Sequence, residues 1–142
     1  MMNFSVADIS SVKQLDDLQK SCLEKLEHQD FSFILQNKNY VTVKGEIEGK
    51  IVCFVSASIS FDQSDILQVC VDENYRRKGI GKELLTVFEN IMKEKGVKEL
   101  FLEVNENNAP AIALYNKMNF SQISKREKYY GENSAIVMHK TL

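Results

Sequence analysis

The stretch Val69–Leu85 constrains the fold of this chain more than any other. It begins as an apolar strand, passes through a basic loop that carries Gly79 and Gly81, and continues into an amphipathic helix. Two glycines at a helix start free the backbone, so that several unpaired N–H groups can point at one spot. Side-chain charge is added there by four basic residues, Arg76, Arg77, Lys78 and Lys82. With the helix dipole, this predicts an anion site, and a phosphate or pyrophosphate is the obvious ligand.

The loop matches neither of the two commonest nucleotide-binding motifs. A P-loop requires Ser or Thr after Gly-Lys, whereas Glu83 follows Lys82. A dinucleotide fingerprint requires a third glycine or alanine, and Leu84 stands at that position. The residues Arg76–Gly81 instead fit the pattern Arg/Gln-x-x-Gly-x-Gly/Ala. On this hexapeptide alone, a basic helix start with a tight turn remains the alternative.

Length and composition bound the class of protein. The 142 residues, 44% hydrophobic and 27% charged, predict a single domain over residues 1–142 with a real core. A formal charge of −2 gives no argument for nucleic-acid binding, and no apolar run reaches the ~18 residues that a membrane span needs. The three cysteines, Cys22, Cys53 and Cys70, are odd in number and widely spaced, which indicates neither a disulfide framework nor a metal site. We therefore expect reduced thiols in a cytoplasmic protein.

Hydrophobic periodicity predicts alternating strands and helices along the chain. Strands are expected at Asn3–Ile9, Tyr40–Ile47, Lys50–Ser60, Ile66–Val71, Lys98–Val104, Phe120–Lys128 and Ala135–Lys140. Helices are expected from a Ser11–Gln14 capping box as far as Leu26, over Phe31–Leu35, from the glycine loop to a stop at Gly96, and over Ala109–Met118. In the third helix Glu89 should face away from the core. The strand–helix–strand order across residues 66–104 implies a right-handed parallel crossover.

Two residues break the local pattern. Glu103 places a carboxylate in an apolar strand, on the face opposite Leu102, which is costly unless the group is exposed, paired or functional. The pattern is equally compatible with a solvent-exposed Glu103 at the end of its strand and with a role for Glu103 in a functional site. Because ligands of α/β sheets bind at the carboxyl ends of strands, its position slightly favours the functional role. Tyr115 shares one helix face with Ala111 and Met118, so it should point at the sheet. A core role is the commoner one for such a tyrosine.

Three segments in this order resemble the GCN5-related N-acetyltransferase (GNAT) superfamily: Gln68–Leu85, Leu102–Val104 and Asn108–Phe120. Within that superfamily they resemble the bacterial ribosomal-protein S18 alanine N-acetyltransferases. The tail segments Arg126–Tyr130 and Asn133–Met138 are similar to the same subfamily.

The resemblance implies an α/β fold with a mixed, mostly antiparallel sheet. Two central parallel strands splay apart, helices cover both faces, and acetyl-CoA lies in the V between the strands. The implied coenzyme contacts are the backbone of Val69, Cys70 and Val71, the loop residues Arg76, Arg77, Lys78, Gly79, Ile80, Gly81 and Lys82, and Asn108. Glu103 matches the family's general base and Tyr115 its general acid. No metal is implied.

The acceptor is the least constrained part of the resemblance. His28–Phe33 stands where the subfamily has an aromatic Pro-Trp-Ser segment, and Asn119 stands where a glycine is usual. The resemblance implies the N-terminal alanine of ribosomal protein S18 as acceptor. The alternatives are a small amine, an antibiotic, a lysine side chain, or a non-catalytic module that binds acyl-CoA. We expect a monomer or weak dimer with no direct nucleic-acid or membrane partner.

Overall fold

The computed structural model describes the backbone of residues 1–142 and every side chain except that of Tyr130. Its strands are β1 (Asn3–Val6), β2 (Tyr40–Ile47), β3 (Lys50–Ser60), β4 (Gln63–Val71), β5 (Glu99–Asn105), β6 (Ser121–Tyr130) and β7 (Asn133–Thr141). Its helices are α1 (Val12–Cys22), α2 (Phe31–Ile34), α3 (Ile80–Glu94) and α4 (Ala109–Lys117). The strands form one sheet in the order β1-β2-β3-β4-β5-β7-β6. The predicted mixed α/β fold is confirmed.

The centre of the sheet carries its single parallel pair among the described strands. β4 and β5 are hydrogen-bonded only where Gln63–Ile66 runs beside Glu99–Leu102. Beyond these residues β4 stays paired with β3, and β5 stays paired with β7. Residues 67–71 and 103–105 therefore face each other across a gap. This is the splayed parallel pair that the resemblance implied.

Two apolar clusters lie on opposite faces of the sheet. One packs α3 and α4 against the sheet through buried side chains such as Leu84, Phe88 and Tyr115. The other packs α1 and α2 against it through Leu15 and Phe31. β3 is buried on both faces, which explains why it reads as a nearly continuous apolar run rather than an alternating one. No helix among the described residues is both long and apolar enough to cross a bilayer.

The predicted start of β4 is three residues late. The turn before it consists of Phe61 and Asp62 alone, and Phe61 takes a left-handed φ of 57°. β4 thus begins at Gln63 instead of Ile66. β1 likewise ends at Val6, because residues 9–11 form a 3₁₀ turn.

The predicted capping box at α1 is wrong. The Ser11 side chain makes no capping bond. Gln14 instead reaches the β2–β3 hairpin, where its Oε1 accepts from Ile51 N at 2.9 Å and its Nε2 donates to Gly49 O at 3.2 Å. α1 also ends at Cys22, so Leu26 lies outside the helix and is fully exposed.

The prediction that Glu89 faces away from the core is also wrong. Its side chain is buried under β7, and its Oε1 accepts a hydrogen bond from Lys140 Nζ at 2.7 Å. The ammonium also lies 5.9 Å from the centroid of the Phe120 ring. A buried carboxylate needs such a partner, and the partner is 51 residues away in sequence.

Candidate active site

The basic loop is turned by two left-handed residues, Arg77 (φ 63°) and Gly79 (φ 78°). α3 starts directly after them, so the N–H groups of its first turn point out of the helix toward the loop. Gly81 lies in that first turn and faces α4. A Cβ built on Gly81 would lie 3.1 Å from Leu114 Cδ2, so the glycine allows α3 and α4 to approach closely.

Arg76 contacts the chain itself rather than the interior of the loop. Its Nε donates to Val71 O at 2.9 Å, and its Nη2 lies 3.5 Å from Cys22 Sγ. The guanidinium therefore ties the loop to the end of β4. Lys78 Nζ lies 5.7 Å from the ring centroid of Tyr75, at the surface of the same turn.

The pleat of β4 determines which of its backbone groups face the gap. Asp72 N donates to Val52 O on β3 at 2.8 Å. Because N–H and C=O groups alternate sides along a strand, the backbone groups of Cys70 also point to β3, whereas those of Val69 and Val71 point away from it. Of the three predicted backbone contacts, Val69 and Val71 thus face the gap, and Cys70 does not.

A bulge marks the place where the two parallel strands part. The register of β3 with β4 passes from Ser56 opposite Gln68 to Ala57 opposite Ile66, so Leu67 is an extra residue. Such a bulge bends its strand and increases its twist. It lies next to Ile66, the last residue of β4 that pairs with β5. The bulge and the splay therefore coincide.

Glu103 lies on β5 at the opened end of the pair, on the face opposite Leu102 and Val104. Its side chain is 32% exposed, and its Oε1 accepts from Arg126 Nη1 at 2.6 Å. The guanidinium also lies 4.2 Å above the ring of Tyr129. The Glu103 carboxylate is therefore both partly exposed to solvent and paired with Arg126. Sequence reasoning did not identify Arg126 as its partner, because no local pattern links β6 to β5.

Tyr115 lies on α4 under the other face of the gap. The residue is 7% exposed, and its ring packs edge-to-face on that of Phe120 with the centroids 5.7 Å apart. Burial, with a smaller contribution from the negative charge of Glu27, raises the pKa of Tyr115 well above its ordinary value. The phenol therefore keeps its proton throughout the neutral range. Asn108 starts the same helix, as predicted, and its Oδ1 accepts from Ala111 N at 3.2 Å.

Asn119 follows α4 with a left-handed φ of 68°. This is the conformation that a glycine would take without cost, and asparagine tolerates it better than most residues. Asn119 in place of the usual glycine therefore allows the same backbone conformation after α4.

A buried pair of glutamines fixes the connection between α1 and α2. Gln19 Oε1 accepts from Gln29 N at 2.9 Å and from Gln68 Nε2 at 2.8 Å. Gln68 Nε2 also donates to Glu27 O at 2.9 Å. The start of His28–Phe33, the segment that replaces the aromatic Pro-Trp-Ser motif, is thus held against β4 beside the gap. Two glutamines inside apolar patterns were the signal that could have revealed this network.

Two of the three cysteines meet beside the same connection. Cys22, at the end of α1, and Cys70 on β4 form a disulfide with their Cα atoms 6.1 Å apart. The prediction of three reduced thiols is therefore wrong for this pair, whose 48-residue separation gave no sign of contact. Cys53 is a free thiol in the core, and burial raises its pKa to about 12.

Other features of the surface lie away from the gap. Two depressions of about 450 and 380 Å³ surround the end of α2, and Lys95, at the C-terminal end of α3, lines the second. The basic loop lies at the opposite end of that 15-residue helix, about 22 Å away. Among the described residues, no group of His, Cys, Asp and Glu is arranged to hold a metal ion.

Comparison with known proteins gives concordant results. Residues 9–120 match the acetyltransferase (GNAT) family. The chain is 28% identical to the ribosomal protein bS18 alanine N-acetyltransferase of Escherichia coli strain K12, over 92% of this chain and 96% of that protein. The crystal structure of the E. coli ribosomal-protein-S18-alanine N-acetyltransferase superposes with a TM-score of 0.89 at 25% identity, covering 99% of this chain and 94% of that one. Arabidopsis thaliana NAA60 in complex with acetyl-CoA gives 0.85 at 19% identity, covering 100% and 99%.

Proposed function

The chain belongs to the GNAT family of N-acetyltransferases, and from that premise we propose that residues 1–142 form one domain that transfers acetyl directly from acetyl-CoA to an amine. The observation that carries the proposal is the splay of β4 from β5, which opens at the same end as the basic loop. The gap would take the pantetheine arm, and the first turn of α3 would hold the pyrophosphate.

Backbone groups of β4 would orient the acetyl group. Val69 turns its N–H to the gap beside the bulge, where it can donate to the thioester carbonyl as negative charge develops on that oxygen. The side chains of Arg77, Lys78 and Lys82 would add charge around the phosphates, and Asn108 would contact the coenzyme farther along. Arg76 would contribute through its hold on Val71 O.

Glu103 and Tyr115 would move the protons of the reaction. A free α-amine has a reference pKa of about 8 and is mostly protonated at neutral pH, so Glu103 would accept its proton directly or through water. The amine nitrogen then bonds the carbonyl carbon, the C–S bond breaks, and the thiolate takes the proton of the Tyr115 phenol. The two groups lie on opposite faces of the gap, which suits a base for the acceptor and an acid for the leaving thiol.

We propose the N-terminal alanine of ribosomal protein S18 as the acceptor, and we propose that the protein acts in the cytoplasm. This acceptor is supported by the 28% identity that extends over nearly the whole of both chains. The alternative acceptors are a small amine, an antibiotic or a lysine side chain. They should be tested because the segment between α1 and α2 differs from the aromatic segment of the subfamily. We expect the protein to act as a monomer or weak dimer.

The test compares acceptors and one variant. Purified protein and acetyl-CoA are given a basic peptide that begins with alanine, the same peptide with a blocked N-terminus and one internal lysine, and simple primary amines. Acetylation of the first peptide alone is expected, and turnover on none of the peptides would rule out the proposed acceptor. Glu103→Gln should lower kcat by about 10²–10⁴-fold without weakening acetyl-CoA binding. Glu99→Gln, on the same strand and face, is the matched control.

A further inference from the structure

Glu103 is approached from one side by Arg126. In the sheet order β4-β5-β7-β6, the gap lies on one side of β5, and β6 lies two strands away on the other. Arg126 is paired with Ala135 on β7, which is paired in turn with Asn105 on β5. The guanidinium therefore reaches over β7 to the carboxylate from the side away from the gap.

The contact is a single, charge-assisted hydrogen bond. Nη1 of Arg126 donates to Oε1 of Glu103 at 2.6 Å, and bonds between two charged groups are stronger than neutral ones. This bond uses Oε1, so the lone pairs of Oε2 remain for a second partner.

The guanidinium is itself held in place. Its carbon lies 4.2 Å from the centroid of the Tyr129 ring, a stacking contact that an arginine makes better than a lysine. The guanidinium thus contacts both the Tyr129 ring and the Glu103 carboxylate, which links the orientation of one side chain to that of the other. Arginine cannot be deprotonated in proteins, so it does not compete for the proton that Glu103 would accept.

We propose that Arg126 is a positioning residue for acetyl transfer, which holds Glu103 by one oxygen so that the other meets the acceptor amine. This inference rests on the proposed function, in which Glu103 is the base. It predicts that the reaction is sensitive to a half-exposed residue of an edge strand that lies two strands from β5. Misplacement of a reacting group by about 1 Å can cost a factor of about 10² in rate.

The first measurement is steady-state kinetics of Arg126→Gln and Arg126→Lys with the acceptor found above. Arg126→Gln should lower kcat by about 10–100-fold and leave acetyl-CoA binding unchanged. Arg126→Lys should recover part of that loss, since it restores the charge but not the planar stacking contact. Lys125→Gln is the matched control: it removes the same charge from the adjacent residue, and Lys125 pairs with Glu106 at 3.6 Å instead of Glu103.

The second measurement is a double-mutant cycle. If Arg126 acts through Glu103, Arg126→Gln should cause no further loss of kcat in a Glu103→Gln background. An equal loss in both backgrounds, or the same loss in Lys125→Gln, would overturn the positioning role and leave the base intact. Full activity of Glu103→Gln would instead remove the base role itself, so the two failures are distinguishable.

A third variant guards against a folding defect. Tyr129→Leu removes the stacking ring and leaves the arginine, so it should give a smaller loss of kcat than Arg126→Gln. If Arg126→Gln does not fold, the Arg126→Lys and Tyr129→Leu variants decide the question by the same cycle with Glu103→Gln. Wild-type kcat in both would contradict the proposal.

Discussion

Tyr115→Phe separates the proposed catalytic role of the phenol from its place in the core. The residue is 7% exposed, and its edge-to-face contact with Phe120 is retained by phenylalanine. Only the hydroxyl is lost, so the free energy of unfolding should change by no more than about 1.5 kcal/mol. Loss of a proton donor typically costs a factor of about 10²–10⁴ in rate, equivalent to about 2.7–5.4 kcal/mol of activation free energy. The expected result is a stable protein with a much lower kcat.

The decisive assay varies the leaving group. A selenoester analogue of acetyl-CoA expels a selenolate, which is a weaker base than a thiolate and needs a proton less. The rate loss of Tyr115→Phe should therefore be much smaller with the selenoester than with acetyl-CoA, at saturating acceptor. An equal loss with both donors would refute the assignment of Tyr115 as the acid.

The same variant has a signature in stability. Because burial raises the pKa of Tyr115 in the folded state, the unfolded chain, with a pKa of about 10, loses the proton first as pH rises. The stabilising contribution is complete below about pH 10 and is lost above it. Urea unfolding of the wild type should show this decline at alkaline pH, and Tyr115→Phe should show less of it.

Two further changes test the scaffold around the site. Gly81→Val should lower both the melting temperature and the affinity for acetyl-CoA, because its side chain would press on Leu114 and push the loop end of α3 from α4; unaltered calorimetric binding would contradict this. Lys140→Met should destabilise the fold by about 3–5 kcal/mol in urea, since it leaves the buried Glu89 carboxylate unpaired. Adding Glu89→Leu to Lys140→Met should recover most of the lost stability. If it recovers none, the unpaired Glu89 carboxylate is not the cause of the loss.

Elements with a strong local signal were predicted from the sequence. The bounds of β2 and β3 agree with the structure at Tyr40–Ile47 and Lys50–Ser60, because β-branched runs flank a Gly-containing turn. α3 begins at the glycine loop as expected. The start of β4 was missed, since nothing in its sequence shows that Phe61 takes a left-handed conformation.

Candidate site residues could be picked out where one residue breaks the pattern of its own element. Glu103 in an apolar strand and Tyr115 on a sheet-facing helix surface are visible in this way. Their assignment as base and acid remains a prediction. Arg126 was not predictable, because its partner lies 23 residues away on a strand that is not its neighbour. Gln19 and Gln68 stand out inside apolar patterns, but their pairing across 49 residues was hidden for the same reason.

The gap between β4 and β5 leaves two strand edges in the middle of the sheet, where other proteins have a continuous ladder. A donor arm that lies along Val69 and Val71 would serve as an additional strand, and the sheet would be mechanically continuous only in the complex. Amide hydrogens on these edges should then exchange with solvent quickly in the free protein and slowly with acetyl-CoA bound. In such an enzyme the co-substrate is also a structural component, so the supply of donor would govern how rigid the protein is.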